Sequence, residues 1–233
     1  MTIPIVHRAP CNPHAASENR RFFEAQRIIC LSLLGATGSG KTALLEAILP
    51  RICKELRVAV LAGDMAGTGD AHRIDRLGVP VVQVLTDGQC HLSANQVQHA
   101  LRELPLAKLN LLIIEHVGSL LCQAGVDLGE HLRVAVLSVS GGHSVATKYV
   151  AAFRNAAVIL LNKYDLLPHV EFDTATVVGA LGGINPTGEV ICTDARKRVG
   201  TERLAGWLLG YVRAHRVRQA RRATRDVPVW LPT

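Results

Sequence analysis

The sequence predicts an α/β fold, a mostly parallel, doubly wound sheet flanked by helices. Two features predict it. Seven short apolar runs recur along the chain, with helical patterns between most of them. Strands that alternate with helices build parallel sheets through right-handed crossovers. The first run leads directly into a glycine-rich turn, Gly35-Ala36-Thr37-Gly38-Ser39-Gly40-Lys41-Thr42, and a helical pattern follows it.

Strands are expected at 28–34, 58–62, 81–85, 109–114, 134–139, 157–161 and 189–192. Most are apolar throughout rather than alternating, as in strands covered on both faces. Helices are expected at 42–56, 71–77, 94–103, 147–155 and 174–181, with a last one at 204–220. A short helix at 17–26 would take Ser17 as its N-cap, and residues 1–15, with three prolines, read as irregular. Aromatic residues make up only 4% of the chain against 48% apolar, so the core must be aliphatic. At 233 residues the chain suits one domain with extensions. The expected division is 1–27 as an N-terminal extension with the first helix, 28–210 as the domain, and 211–233 as a basic tail.

No apolar run approaches the roughly 20 residues of a membrane span, and residues 1–10 lack the continuous apolar stretch of a signal peptide. These features point to the cytoplasm and away from a membrane. In that compartment the six cysteines read as buried thiols or metal ligands rather than as disulfides. Much of the net charge of +7 comes from Arg213, Arg216, Arg218, Arg221, Arg222 and Arg225. That run reads as a solvated tail or as a contact for an acidic partner. It has no stacking aromatics among its arginines, which argues against nucleic acid.

Residues 35–42 match G-x-x-x-x-G-K-[ST] between a strand and a helix, the pattern of a P-loop NTPase. Gly35, Gly38 and Gly40 let the backbone close around phosphate oxygens, and the exposed amides, with Ser39 among them, favour negative charge. Lys41 should reach the β- and γ-phosphates, and Thr42 should ligate Mg2+ through its hydroxyl. A nearby acid is also needed. Asp64 ends the second strand, and Glu115 ends Leu111-Leu112-Ile113-Ile114, where a Walker B acid belongs. Either can act on the metal through water. Lys41, Thr42, Asp64 and Glu115 are therefore the expected catalytic set for nucleotide hydrolysis.

Asn162-Lys163-Tyr164-Asp165 follows another strand and matches N-K-x-D, the guanine-reading motif. A carboxylate can accept two hydrogen bonds from guanine N1–H and N2–H2, a donor pair that adenine does not offer. The nucleotide is therefore expected to be GTP, with the stem of Lys163 over the base. Cys90 and His91 lie past the third strand, and Cys122 lies past Glu115. Two thiolates and an imidazole suit Zn2+ or Ni2+. Three ligands leave a site to be completed by water or a second chain, and His116 and His143 are further candidates.

With these motifs in place, the chain resembles the HypB family of nickel-incorporation GTPases in hydrogenase maturation, within the SIMIBI class of dimerising P-loop GTPases. Asn19-Arg20 and Phe23, Asp70-Ala71-His72-Arg73-Ile74 after Gly63-Asp64, Cys90-His91-Leu92 and Glu115-His116-Val117-Gly118-Ser119-Leu120-Leu121-Cys122 carry the resemblance. So do Asp127-Leu128-Gly129-Glu130, Lys148-Tyr149 and Asn162 through Pro168. The resemblance implies Ni2+ or Zn2+ on Cys90, His91 and Cys122 at a dimer interface, and Mg2+ among Thr42, Asp64 and Glu115. It also implies a nucleotide-dependent homodimer, another nickel chaperone and a nickel–iron hydrogenase large-subunit precursor as partners. Departures from the family pattern lie at Gly141–Thr147, at Asp194-Ala195-Arg196-Lys197-Arg198, at His116 in place of Asn, and at Gln123 in place of Pro. Two other classes remain open: a P-loop small-molecule kinase, and a nucleotide-binding scaffold or metallochaperone with another client.

Overall fold

The computed structural model describes residues 2–7 and 12–225, with side chains through Gln219. Eight parallel strands form one sheet in the order β1-β4-β3-β5-β2-β6-β7-β8. They are β1 (Ile5–Val6), β2 (Ile29–Gly35), β3 (Val58–Asp64), β4 (Val81–Leu85), β5 (Leu111–Glu115), β6 (Leu132–Ser138), β7 (Val158–Asn162) and β8 (Glu189–Cys192). The helices are α1 (Ala15–Gln26), α2 (Lys41–Ile52), α3 (Gly69–Asp75), α4 (Ala94–Ala100), α5 (Leu120–Ala124), α6 (Val145–Lys148), α7 (Val150–Arg154), α8 (Thr174–Ile184) and α9 (Thr201–Arg225).

The largely apolar strands follow from burial on both faces. In β5, Leu111 and Ile113 face α2 and α9, while Leu112 and Ile114 face the opposite layer with α1 and α4. In β7, Val158 and Leu160 point to the first layer, while Ile159 and Leu161 meet α7 and α8. Side chains alternate across a strand, so a run covered twice is apolar at most positions, and a buried exception such as Gln83 needs a partner, here Ala62 O at 2.7 Å from its Nε2.

All seven expected strands form. The eighth is β1, inside the segment expected to be irregular. It pairs Ile5 with Gln83 and Val6 with Val84, and the Gln83 amide donates to Pro4 O at 2.9 Å. Two residues are too few to show a period in the sequence. Helix α1 starts at Ala15 after His14 rather than after Ser17, whose hydroxyl instead donates back to His14 O at 2.8 Å. Helix α2 ends at Ile52, two residues past Pro50, which removes one ladder donor. The helix expected at 147–155 is split, because Tyr149 lies off helical geometry at φ −118°, ψ 43°. Helix α9 continues across the expected tail boundary, where Val212 is buried and the side chain of Arg213 pairs with Glu55. Arg216 and Arg218 lie further along the same helix. The side chains of Arg221, Arg222 and Arg225 lie outside the described residues, as does Cys11.

Strand β2 is central, with β5 on one side and β6 on the other. The chain winds out through β3 and β4, returns at β5, then crosses to β6, β7 and β8. That reversal opens a crevice at the carboxyl ends of β2 and its neighbours, where ligands of such sheets bind. Among the described residues no helix is long and apolar enough to cross a membrane.

Candidate functional site

The crevice is a cleft of about 310 Å3, lined among others by Gly38, Gly40, Lys41, Thr42, Asp64 and Glu115. The turn from β2 into α2 needs glycine where φ is positive, at Gly38 (71°) and Gly40 (97°). It leaves the first amides of α2 facing the cleft, an arrangement that favours an anion. Lys41 is buried, and its Nζ donates to Gly35 O at 3.2 Å and Ala36 O at 3.4 Å. Burial lowers its pKa, while Glu115, Asp70 and Asp64 pull it back up.

Thr42 Oγ1 donates to Glu115 Oε1 at 2.6 Å. Burial pushes the Glu115 carboxyl up to about 7, against the Thr42 hydrogen bond and the Lys41 charge. Its Oε2 is buried without a hydrogen-bond partner. A hydroxyl beside an unpartnered carboxylate oxygen is the hard donor set that Mg2+ takes, so these residues fit that ion. Asp64 stands at the end of β3 on the cleft wall, its Oδ1 accepting from the amides of Ala66 (2.9 Å) and Gly67 (2.7 Å).

The wall after β5 rests directly on the phosphate turn. Thr37 donates to Gly118 O from its amide (3.0 Å) and from its hydroxyl (2.9 Å). A Cβ at Gly118 would stand 2.7 Å from Thr37 Cα and 2.8 Å from Thr37 N. Gly118→Ala is therefore expected to displace the turn and weaken nucleotide binding at least about tenfold, a cost of overpacking. Equal titration curves for the two proteins would contradict that contact.

Asn162 ties the segment 162–165 to the glycine-rich turn. Its Nδ2 donates to Ser39 O at 2.8 Å, and its Oδ1 accepts from Thr193 Oγ1 at 3.1 Å. Lys163 takes a left-handed conformation at φ 59°, and the following amide, of Tyr164, donates to Thr193 O at 3.1 Å. Asp165 is half-buried, with Lys197 Nζ 3.9 Å from its Oδ2. The loop at 194–198 keeps a defined turn: Asp194 Oδ1 accepts from the amides of Arg196 (2.9 Å) and Lys197 (3.1 Å).

Cys90 and Cys122 come together, with Cα atoms 6.0 Å apart, and are joined as a disulfide. The sequence was expected to hold thiols or ligands instead. The two residues meet because both lie just past carboxyl ends of strands, Cys90 after β4 and Cys122 in α5 beyond β5, with Ser119 Oγ capping the Cys122 amide at 3.2 Å. His91 Nδ1 is 4.0 Å from Cys90 Sγ, so the two side chains are adjacent. Among the described residues no three His, Cys, Asp or Glu side chains converge as a metal-binding group. His143 is exposed before α6. His116 is buried and hydrogen-bonded to Gln123 Oε1, and burial pushes its imidazole down to about 3.

Arg73 entered the sequence reading only within the segment 70–74 that carries the family resemblance, without a contact of its own. It reaches the wall from α3, held by Glu46 through Nε (3.0 Å) and Nη2 (2.6 Å). No spacing rule connects it to the phosphate turn, so its partner Glu46 and its place on the cleft wall appear only in the packing of α3 on α2.

A family described as CobW/HypB/UreG, nucleotide-binding domain, matches residues 29–192, the span from β2 to β8 that carries the glycine-rich turn, Asp64, Glu115, the cysteine pair and Asn162 to Asp165. A hydrogenase maturation factor HypB of Escherichia coli K12 is 40% identical over 84% of this chain and 68% of its own length. The chain belongs to the HypB family. The HypB relative from Azotobacter vinelandii is 42% identical over 84% of this chain, which spans 65% of that protein's length. Among solved structures, HypB from Archaeoglobus fulgidus superposes with a TM-score of 0.79 at 33% identity, covering 85% of this chain and 97% of that one. HypB from Helicobacter pylori, crystallised in complex with nickel, gives 0.82 at 27% identity, covering 86% and 94%. The parallel sheet and phosphate turn thus match HypB structures as the sequence resemblance implied.

Proposed function

We propose that this chain is a Mg2+-dependent GTPase of the cytoplasm that carries nickel during maturation of a nickel–iron hydrogenase. The observation that carries the nucleotide half is the continuous hydrogen bonding from Thr193 through Asn162 to Ser39, which holds the base-reading and phosphate-binding segments in one register. Lys41 and the turn amides hold the phosphates, Asp165 reads guanine, and Thr42 and Glu115 hold Mg2+, with Asp64 acting on it through water. Bound there, Mg2+ would supply charge neutralisation at the transferring phosphate. Unaided turnover is expected at roughly 10⁻² s⁻¹ or slower, because positioning groups alone do the work.

Calorimetry with GTP, GDP and ATP in Mg2+ tests this half; heat from ATP equal to that from GTP would overturn it. Asp165→Asn sharpens the test. An amide replaces one of the two acceptors with a donor, so guanine affinity is expected to drop about 10–100-fold, the cost of charged hydrogen bonds. The same change should improve binding of xanthine nucleotides, which carry a carbonyl at the guanine amine position. A variant that keeps guanine affinity would show that Asp165 does not read the base.

The nickel half is supported by the meeting of Cys90 and Cys122, with His91 next to Cys90, past the carboxyl ends of strands of the same sheet that carries the cleft. The reduced thiols would take the ion as cargo, completed by a second copy in a nucleotide-dependent dimer and passed between another nickel chaperone and the hydrogenase large-subunit precursor. Zn2+ fits the same ligands. Cys90→Ala with Cys122→Ala is expected to abolish bound nickel in the reduced protein, measured by metal analysis after gel filtration. Unchanged stoichiometry would remove the assignment.

A further inference from the structure

Two polar side chains lie fully buried between the cleft and the sulfur pair. His116 is 1% exposed and Gln123 is 0% exposed. His116 Nδ1 is hydrogen-bonded to Gln123 Oε1, and Gln123 Nε2 donates to Cys90 O at 3.3 Å. An apolar pair of the same volume would pack here without needing partners, so these groups are costly to bury unless the bonds are made.

Their placement spans two sites. His116 belongs to the segment 115–118, which grips the phosphate turn at both ends, through Glu115 on Thr42 and through Gly118 on Thr37. Its amide also donates to Leu33 O of the central strand at 3.0 Å, and it forms part of the cleft wall. Gln123 belongs to α5 and directly follows Cys122. Its side chain holds the carbonyl of Cys90. One cysteine is therefore held through the helix that carries Gln123, and the other through its own backbone.

We propose that the His116–Gln123 pair is a positioning link through which the nucleotide in the cleft sets the spacing, and so the reactivity, of the Cys90 and Cys122 thiols. When the phosphate changes, segment 115–118 shifts relative to the turn. His116 carries that shift into α5, and Gln123 transmits it to the Cys90 loop. The link rests on the reading of the cleft as a GTP site.

The test uses the full chain, reduced and then treated with iodoacetamide, with alkylation of each cysteine followed by mass spectrometry. It compares Mg2+–GDP with a Mg2+-bound non-hydrolysable GTP analogue. Cys53, exposed at the end of α2, is the internal control and should not respond. Cys90 and Cys122 rates are expected to differ between the two nucleotides by about fivefold or more, the lower end of typical coupling. In Gln123→Met, which keeps the volume and removes both bonds, that ratio should fall to about one while nucleotide affinity stays within about threefold. His116→Leu, which removes the donor to Gln123, should also bring that ratio to about one, and the double variant should add nothing further to it. Gln123→Glu keeps an acceptor for His116 and loses the donor to Cys90. It should abolish the Cys90 response and keep that of Cys122, which covers the case of a Met variant that does not fold.

A wild-type ratio retained at both cysteines in Gln123→Met overturns the proposal, as does one retained at Cys90 in Gln123→Glu, and as do equal wild-type rates in protein shown to bind both nucleotides. Failure of the wild-type chain to bind guanine nucleotide is a different result: it removes the GTPase reading, and the link with it.

Discussion

Lys41→Ala is expected to lower GTP hydrolysis about 10²–10³-fold, the cost of removing one preorganised charge-stabilising donor, while leaving the fold intact. The side chain is only 8% exposed, and its burial penalises the charged form. Without nucleotide its ammonium is satisfied by two carbonyls of the turn itself, Gly35 and Ala36. Those carbonyls are weak substitutes for phosphate oxygens, so most of the ammonium's stabilising effect appears only with the anion present. Removing the ammonium also removes a buried charge from the free protein. The nucleotide-free melting temperature should therefore stay level or rise, and the stabilisation by Mg2+–GTP should be lost. Thermal melts with and without nucleotide, beside a phosphate-release assay, check both parts. A variant that still hydrolyses at the wild-type rate would place the chemistry elsewhere.

What the sequence made legible follows from range. The phosphate turn is local: glycines at positive φ, a lysine and a threonine at fixed offsets can be read without a third dimension. The strands were legible because double burial makes most of their positions apolar. Strand β1 was not, since its two residues are defined only by their pairing with β4. The cysteine pair was legible as a shared location, because Cys90 and Cys122 both follow strand ends. Its linkage was not, since bonding depends on an approach between residues 32 apart in sequence. The pairing of Arg73 was hidden for the same reason: its partner Glu46 lies on another helix, and no local pattern marks the pair. His116 and Gln123 could be seen as unusual residues, but only the packing shows that they meet.

Glu115→Gln should change stability in a pH-dependent way whose sign reverses with ligand. In the metal-free protein burial raises this carboxyl to about 7, against about 4.3 in an unfolded chain. A carboxyl with a raised folded pKa contributes stability that is complete below the unfolded value. That contribution is lost as pH climbs through the folded value. The amide does not titrate and keeps an acceptor for the Thr42 hydroxyl. Between pH of about 4.5 and 8 the variant should thus gain on the wild type by about 3 kcal/mol, in the absence of Mg2+ and nucleotide. Adding Mg2+–GDP should reverse the order at pH 8, because the ionised carboxylate then faces a cation and its unpartnered Oε2 finds a partner. Urea denaturation at several pH values, with and without Mg2+–GDP, measures both differences. A stability gap that does not change with pH would show that Glu115 stays ionised in the free protein, and a gap unaffected by Mg2+–GDP would show that the carboxylate does not serve the ion. The same buried carboxyl would then be a structural partner of Thr42 alone, and the acid for Mg2+ would have to be Asp64, the other carboxylate on the cleft wall that follows a strand end.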